Sequence, residues 1–356
     1  MDIASFALER WLARHEHGAE INLGDSGVRP LAADRFDTDP GALGYVVPTD
    51  GDPALRERVG SWYGRGADEV VFTCGTQEAN LLAHLAVLDE SSHAVVVTPT
   101  YQSLHQLPAT LGDVTRVSLD PPDWRLDVDA VEDAIRPETD LVVLNNPNNP
   151  TGRVHAPDAV DAVADLAADT DAYFHCDEVY RRLAEDPLDP VADTYDHGIS
   201  TSGLSKAWGL PGLRFGWLVA PPRVAAAARR WKDYTTIAPP VFGQHIAEQA
   251  FDRADEILDE NRDHVRGNRA LVAEFVDEHG LDWHVPAGAT AFVSVPEGVD
   301  DAESLCLDLV EAGVVTVPGA TFGQPGYLRL GFGVERATLE AGLDRIGSVI
   351  DRRGAN

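Results

Sequence analysis

Lys206 is the residue of this sequence whose chemistry is hardest for another residue type to supply. It lies in STSGLSKAWGLPGLRFGWLV and is one of only two lysines in 356 residues, although the chain has 28 basic residues. A lysine amine forms a Schiff base once part of it is deprotonated, which burial or a nearby positive charge favours, whereas a guanidinium cannot. We therefore predict that Lys206 attaches a cofactor covalently. The alternative is a solvated surface lysine, as we expect for Lys232 in RRWKDY.

Three further residues match the demands of one cofactor. Pyridoxal phosphate binds through a lysine Schiff base and acts as an electron sink, so its pyridine nitrogen must be kept protonated. Asp177, directly after AYFHC, supplies a carboxylate for this purpose, or alternatively caps the next turn. Tyr180 and Asn149 can both donate a hydrogen bond to the phenolic oxygen of the ring. The alternative for NNPNNPTG, which contains Asn149, is a rigid loop of Pro and Asn turns.

A second group of residues could hold the phosphate and the ring face. Gly75, Thr76 and Gln77 open a predicted helix, whose free N–H groups and dipole attract an anion. Arg214, eight residues beyond Lys206, can add a bidentate contact to the phosphate. Tyr101 could stack on the ring. The alternatives are an ordinary helix N-cap and a Tyr that only packs.

Short apolar runs that alternate with helical patterns predict the α/β fold class. Runs such as EVVFT, HAVVVT and LVVLNN are typical of a mostly parallel sheet covered on both faces by helices. Ligands of such sheets bind beyond the carboxyl ends of the strands. Polar clusters follow five of the predicted strands, so we expect these to converge on one crevice: CGTQEAN, PTYQSL, NNPNNPTG, DEVY and GLSK.

The pattern changes after Pro240, where long helices are followed by short strands. This half predicts a smaller α+β domain, with a terminal helix over about residues 337–352. We expect the first 30 or so residues to return and pack against it. The predicted division is a large domain over residues 41–250 and a small discontinuous domain over 1–40 and 251–356.

Taken together, these residues resemble the fold type I pyridoxal-phosphate enzymes, specifically the class I/II aminotransferase family. The resemblance covers nearly the whole chain and is most specific in NNPNNPTG, CDEVY and SGLSKAWGLPGLRFGW. It implies a seven-stranded-type sheet in the large domain and a homodimer with active sites at the subunit interface. It also implies these roles: Lys206 as Schiff-base lysine and proton shuttle, Asp177 on the pyridine nitrogen, Tyr180 and Asn149 on the phenolic oxygen, Tyr101 under the ring, and Ser205, Arg214 and Gly75 to Gln77 on the phosphate.

The same resemblance implies two contacts outside the cofactor cradle of one chain. Arg329 in YLRLGF would bind the substrate carboxylate, and Tyr45 in LGYVVPTDG would reach the phosphate of the neighbouring subunit. The chain departs from the family pattern at Gly203, where many members have Ser. A phosphate contact is lost there, for which Ser202 could substitute.

The resemblance implies transamination between an amino acid and a 2-oxo acid. A decarboxylase, lyase or cyclising enzyme of the same fold is the alternative, because DSGVRPL, TYQSL and STSGLSK are similar to a branch that includes capreomycidine synthase. A non-catalytic sensor is a further alternative, but residues 1–20 are too few for the DNA-binding domain of such regulators. The sequence does not identify the amino donor or the acceptor, and Arg29 is a candidate contact for the substrate.

The overall charge narrows the choice of partners. The sequence has 59 acidic and 28 basic residues, a net charge of -31 and a pI near 4.5, which disfavours nucleic acid and anionic membranes as partners. Because the acidic residues are scattered, we expect a cytoplasmic protein of a halophile, or otherwise an acidic mesophilic one. The three cysteines lack metal or disulfide spacing, so we expect no metal. The N-terminus predicts an amphipathic helix and not a signal peptide.

Overall fold

A seven-stranded sheet forms the centre of the computed structural model, which describes residues 3–299 and 301–354. Its strand order is β2-β8-β7-β6-β5-β3-β4, and β8 alone runs opposite in direction to the other six strands. The predicted α/β class and mostly parallel sheet are confirmed. The strands in chain order are β1 Ile21–Asn22, β2 Val70–Thr73, β3 His93–Thr98, β4 Asp113–Ser118, β5 Thr139–Asn145, β6 Tyr173–Asp177, β7 Gly198–Gly203, β8 Gly216–Val219, β9 Thr290–Ser294, β10 Val314–Val315, β11 Val317–Pro318 and β12 Tyr327–Gly331.

Helices cover both faces of the sheet, which explains the unbroken apolar runs of its strands. Residues Ala94 to Val97 of β3 are all buried, and they alternate between two hydrophobic clusters. The helices are α1 Ala7–His15, α2 Pro53–Ser61, α3 Thr76–Val87, α4 Gln102–Leu111, α5 Val128–Ala134, α6 Pro157–Asp169, α7 Val191–Thr194, α8 Pro222–Lys232, α9 Val241–Asp252, α10 Ala254–Glu278, α11 Ala302–Glu311 and α12 Arg336–Gly354. Among the described residues, no helix combines the length and apolarity needed to cross a membrane.

The sequence of α6 shows how these helices arise. Pro157 occupies the first turn, where its missing N–H costs no hydrogen bond. Val160, Val163, Ala164 and Ala167 follow at helical spacing, and all four are buried. The Asp residues between them lie on the other side, so α6 packs one apolar face on the sheet and exposes an acidic one.

The N-terminal segment pairs with the C-terminal part of the chain. Strand β1 runs parallel to β10, with Ile21 opposite Val314, and the Trp11 indole of α1 donates to the Thr316 carbonyl at 2.8 Å. A three-stranded antiparallel sheet in the order β11-β12-β9 lies in the same C-terminal part. These contacts agree with the expected return of the first residues. The division at residues 41–250 stays a prediction.

Strands β2 to β7 share one direction, so their carboxyl ends meet at one edge of the sheet. Helices α3 and α4 begin just beyond two of those ends, at Thr76 and Gln102. The predicted crevice lies along this edge.

Candidate active site

A cavity of about 370 Å³ opens beyond the carboxyl ends of the strands. It brings together residues from the middle of the chain with the N-terminal segment and β12. All of the predicted site residues except Gly75 and Tyr45 line it: Thr76, Gln77, Tyr101, Asn149, Asp177, Tyr180, Ser205, Lys206, Arg214 and Arg329.

Lys206 projects into this cavity from a turn that follows β7. The N–H of Gly209 closes the turn by donating to the Lys206 carbonyl at 3.2 Å. The Nζ donates to Ser26 Oγ at 2.9 Å and lies 3.4 Å from Asp25 Oδ1. Burial lowers the pKa of the amine, but the charges of Tyr180 and Asp25 outweigh this effect, so the pKa is raised. Burial acts in the direction expected for a Schiff-base lysine, whereas the sequence did not reveal these acidic neighbours, which favour the ammonium form.

Asp177 is the last residue of β6 and is buried at the inner end of the cavity. Its Oδ2 accepts from Asn80 Nδ2 at 2.8 Å and its Oδ1 from the Val179 N–H at 3.1 Å. Burial raises its pKa to about 6, while these two hydrogen bonds and the charge of Lys206 oppose the rise. The carboxyl group is therefore ionised at neutral pH, though by a narrow margin.

The loop NNPNNPTG carries Asn149 and is held by its own amides. Asn145 Oδ1 accepts from the Asn149 N–H at 2.6 Å, and Asn145 Nδ2 donates to the Asp177 carbonyl at 2.9 Å. Asn148 Oδ1 accepts from the Thr151 hydroxyl at 2.7 Å. The two interpretations of this stretch are thus compatible, because a rigid loop is what fixes Asn149 against the cavity.

Arg329 reaches the cavity from β12 and is 2% exposed. Its Nη1 donates to Asn149 Oδ1 at 3.0 Å and its Nη2 to the Gly24 carbonyl at 2.6 Å, whereas its buried Nε has no partner among the described residues. Burial lowers its pKa, and the charges of Tyr180 and Asp25 partly compensate. The guanidinium is therefore held in one orientation, and its Nε–H is a donor without a partner among the described residues.

Ser26 links the phenol and the amine of the site. Its Oγ accepts from Tyr180 at 2.8 Å as well as from Lys206. Asp25 and Ser26 begin the stretch DSGVRPL, and the sequence alone predicted no role for either of them. Both come from the segment after β1, and residue types alone do not reveal that this segment returns to the cavity.

The predicted phosphate seat assembles where α3 begins. Gly75 has φ 86°, and a Cβ there would collide with the Arg214 guanidinium. Arg214 in turn donates from Nη1 to Ser205 Oγ at 3.1 Å. The buried hydroxyl of Thr76 has no partner among the described residues, and a Cβ at Gly203 would lie 2.7 Å from it. Gly203 therefore leaves room for Thr76 at the position where many family members have Ser.

Tyr101 lines the cavity with its hydroxyl committed to another residue. The hydroxyl donates to Glu9 Oε1 of α1 at 2.7 Å, and the ring centroid lies 5.0 Å from that of Phe6. Burial and the charge of Glu9 raise the pKa of the phenol. Helix α1 thus forms part of the cavity wall, which the sequence did not indicate.

Three other residues lie away from the cavity. Tyr45 is 85% exposed and is not brought to the cavity of its own chain. Arg29 is paired with Glu260 and Glu335 and does not line the cavity. Lys232, expected at the surface, is 1% exposed and donates to the Ile237 carbonyl at 2.7 Å, so that expectation was wrong.

The donor set of the cavity fits pyridoxal phosphate. The unpartnered Thr76 hydroxyl, the N-terminus of α3 and Arg214 form a seat for an anion. Asp177 offers an ionised carboxylate and Lys206 a primary amine in the same cavity. No group of three or more His, Cys, Asp or Glu residues suited to a metal ion occurs in the described part of the chain.

Comparison with known proteins agrees with this fit. Capreomycidine synthase from Streptomyces vinaceus is 33% identical over 95% of this chain and 92% of its own length. The structure of a PLP-dependent aminotransferase from Streptococcus suis 89-1591 matches with TM-score 0.94 and 31% identity, covering 99% of both chains. The PLP-dependent cyclase OrfR matches with TM-score 0.90 and 30% identity, covering 99% of this chain and 98% of its own. A sequence model described as aminotransferase class I and II matches residues 30–346. The chain therefore belongs to the aminotransferase class I and II family, whose enzymes depend on pyridoxal phosphate.

Proposed function

We propose that the protein transfers an amino group between an amino acid and a 2-oxo acid, with Lys206 as the residue that binds pyridoxal phosphate covalently. The observation that carries the proposal is the meeting of the Lys206 amine, the Asp177 carboxylate and the Arg329 guanidinium in one cavity. These groups supply a nucleophile, a partner for a ring cation and a fork that matches a carboxylate.

Each residue has a definite task in this reaction. Bound pyridoxal phosphate supplies a carbonyl that condenses with amines and a ring that withdraws electrons from the substrate Cα. Arg329 binds the substrate carboxylate and thereby orients the Cα–H bond toward Lys206 Nζ. With the cofactor bound, the Lys206 amine would take the Cα proton and deliver it to the former carbonyl carbon of the cofactor instead of back to Cα. Asp177 keeps a proton on the ring nitrogen, and Tyr180 and Asn149 contact the phenolic oxygen.

Release of the proton from Lys206 depends on its acidic neighbours. Asp25 and Tyr180 raise the pKa of the amine, and Ser26 accepts a hydrogen bond from it. The Lys206 side chain that is not bonded to cofactor is therefore held as an ammonium group, and it becomes a nucleophile only when it gives up a proton within this cluster. Throughout these steps the phosphate is held by Arg214, Ser205, Thr76 and the start of α3.

A single-turnover experiment tests transamination. The protein loaded with pyridoxal phosphate is mixed with one amino acid at a time, in high salt and without a 2-oxo acid. Accumulation of pyridoxamine phosphate and the matching 2-oxo acid supports the proposal. If every amino acid that reacts leaves pyridoxal phosphate unchanged, the proposal is wrong.

Cyclisation or elimination is the second candidate function. The similarity to capreomycidine synthase and to the cyclase OrfR favours it. In the same experiment, such an enzyme would convert the amino acid over many turnovers and form no pyridoxamine phosphate.

We also infer a homodimer in which Tyr45 reaches the phosphate of the neighbouring subunit. Leu43, Tyr45 and Val47 are 73%, 85% and 86% exposed, and Tyr234 is 86% exposed. Large exposed apolar side chains that lie close together in sequence, as Leu43, Tyr45 and Val47 do, are typical of an interaction surface. Analytical ultracentrifugation tests the inference: a monomer at micromolar concentration would contradict it.

We further infer that the protein works in the cytoplasm of a halophile. Its net charge of -31 suits concentrated salt. Its three cysteines are free, as is typical of a reducing compartment.

A further inference from the structure

A chain of four buried polar side chains ends on the Asp177 carboxylate, and its last member, Asn80, also lines the cavity. His84 and Asn80 lie on α3, His175 on β6 and Thr201 on β7, and each is at most 1% exposed. His84 Nε2 lies 3.2 Å from His175 Nδ1, and His175 Nε2 lies 3.0 Å from Thr201 Oγ1. Thr201 Oγ1 lies 2.6 Å from Asn80 Oδ1, and Asn80 Nδ2 lies 2.8 Å from Asp177 Oδ2. None of these four side chains has a role in the mechanism above, whereas Asp177, on which the chain ends, does.

The chemistry of these groups fixes the position of every proton. An ionised carboxylate only accepts, so Asn80 turns its NH₂ group toward Asp177 and its oxygen toward Thr201. Thr201 has one proton and gives it to Asn80, so it must accept from His175 Nε2. Burial holds the pKa of His175 well below its usual value, and the neutral ring then has a bare Nδ1. His84 must therefore donate from Nε2.

The far end of the chain agrees with this direction. Burial lowers the pKa of His84 to about 3, so this ring also carries a single proton, on Nε2. Its Nδ1 is then a bare lone pair, and Nδ1 is the ring atom without a partner among the described residues. All the hydrogen bonds consequently point the same way, from His84 to Asp177.

The opposite direction would require a neutral Asp177. A protonated carboxyl group would donate to Asn80, the amide would turn over, and every donor behind it would reverse. His84 would then carry its proton on Nδ1, as a buried N–H without an acceptor. A buried donor without a partner costs about 1–3 kcal/mol. The arrangement of the four side chains therefore favours the ionised carboxylate.

The other groups that act on Asp177 cannot replace this chain. Lys206 lowers its pKa, but the same amine must lose its charge during the reaction. Glu178 and Cys176 are buried beside it, and their electrostatic interaction with Asp177 is a repulsion between like charges, which does not favour ionisation. The Val179 N–H donates to the other carboxyl oxygen of Asp177, Oδ1, and not to the oxygen that Asn80 contacts.

We propose that His84, His175, Thr201 and Asn80 are positioning residues that hold the Asp177 carboxylate ionised and in one orientation, so that it keeps the ring nitrogen of pyridoxal phosphate protonated. The functional meaning rests on the proposed role of Asp177. The chain itself is independent of it, because its four hydrogen bonds join protein side chains only.

The first experiment uses the unaltered, cofactor-free protein. Imidazole-nitrogen NMR at neutral pH should find both His84 and His175 neutral and protonated on Nε2. Protonation of either ring on Nδ1, or a cationic ring, overturns the proposal. The result does not depend on catalysis, so it stays valid even if transamination fails.

The second experiment breaks the chain in its middle. Thr201→Val removes the hydroxyl at nearly constant shape, and Thr201→Ser restores it as the matched control. In the cofactor-free protein, carboxyl-carbon NMR should find the pKa of Asp177 raised by about one unit in Thr201→Val, a tenfold change in proton affinity. Thr201→Ser should keep the original value.

Asn80→Leu, which removes the donor that touches Asp177, should raise that pKa at least as much. In the loaded protein, the pH at which the visible band of the cofactor titrates should move in Thr201→Val and not in Thr201→Ser. A folded Thr201→Val protein with an unchanged Asp177 pKa overturns the proposal. If Thr201→Val does not fold, the NMR of the unaltered protein still decides.

Discussion

Ser26 Oγ accepts a hydrogen bond from both Lys206 and Tyr180, so the amine and the phenol lie within about one hydrogen-bond length of a common atom. Asp25 lies beside the same amine. At the scale of single residues, the site is therefore a compact cluster in which the charge of one group sets the proton affinity of the next.

Replacing Lys206 by Ala should abolish both the visible absorbance of bound pyridoxal phosphate and turnover, because no other lysine lines the cavity in the described part of the chain. Lys232→Arg is the matched control, since it removes the chain's other lysine. Absorption spectra after dialysis against pyridoxal phosphate measure the effect. A Lys206→Ala protein that keeps the band and its activity would contradict the assignment.

Replacing Asp25 by Asn should lower the pKa of Lys206, because the Asp25 charge raises it. The amine would then become neutral at lower pH, so the rate of covalent cofactor attachment to the cofactor-free protein should reach its plateau at lower pH. Stopped-flow absorbance across a pH series measures this rate. An unshifted or upward-shifted profile would show that Asp25 does not control the amine.

At the scale of elements, the sequence predicted those features that depend on neighbouring residues in the chain, namely the strands and the polar residues at their ends. Buried parallel strands leave apolar runs, and the polar residues at their carboxyl ends or in the turns beyond them, such as Asp177 and Lys206, lie at the site. Asp25 and Ser26 were not identified, because they reach the site from a segment far away in sequence, with Ser26 180 residues from Lys206. Asn80 closes the predicted cluster CGTQEAN, but its contact with Asp177, 97 residues along the chain, was not predicted. The predicted exposure of Lys232 was wrong, because its Nζ donates to the carbonyl of Ile237, and residue types do not reveal this hydrogen bond.

The start of α3 allows a test with a matched control. Gly75 and Gly41 both have positive φ, of 86° and 74°, but only at Gly75 would a Cβ meet Arg214. Gly75→Ala and Gly41→Ala should each cost about 1–3 kcal/mol of stability, because both place Ala at a positive φ. Only Gly75→Ala should also weaken pyridoxal phosphate binding, by at least about tenfold, the equivalent of one lost hydrogen bond of about 1.4 kcal/mol.

Thermal unfolding and equilibrium dialysis measure the two effects separately. If both variants bind the cofactor equally well, the phosphate is not held at Gly75 and Arg214. If both bind it weakly, the backbone penalty and not the displaced Arg214 accounts for the loss.

At the scale of the whole molecule, charge sets the conditions under which the fold is stable. The acidic residues outnumber the basic ones by 59 to 28, so most acidic side chains have no basic partner available. Many ion pairs that do form are exposed, such as Arg266 with Asp263 and Arg336 with Glu340. Such pairs contribute only about 0–1 kcal/mol each. Repulsion among the unpaired carboxylates therefore outweighs them.

The melting temperature should accordingly rise as KCl increases from about 0.05 M to about 1 M, because the Debye length shrinks from more than about 10 Å to about 3 Å. Most of the rise should come early, since screening saturates once that length is shorter than the spacing of surface charges. A neutral osmolyte such as sucrose separates screening from solute exclusion, which grows steadily with concentration. A melting temperature that falls with KCl, or follows the sucrose profile, would mean that carboxylate repulsion does not limit the stability of this fold.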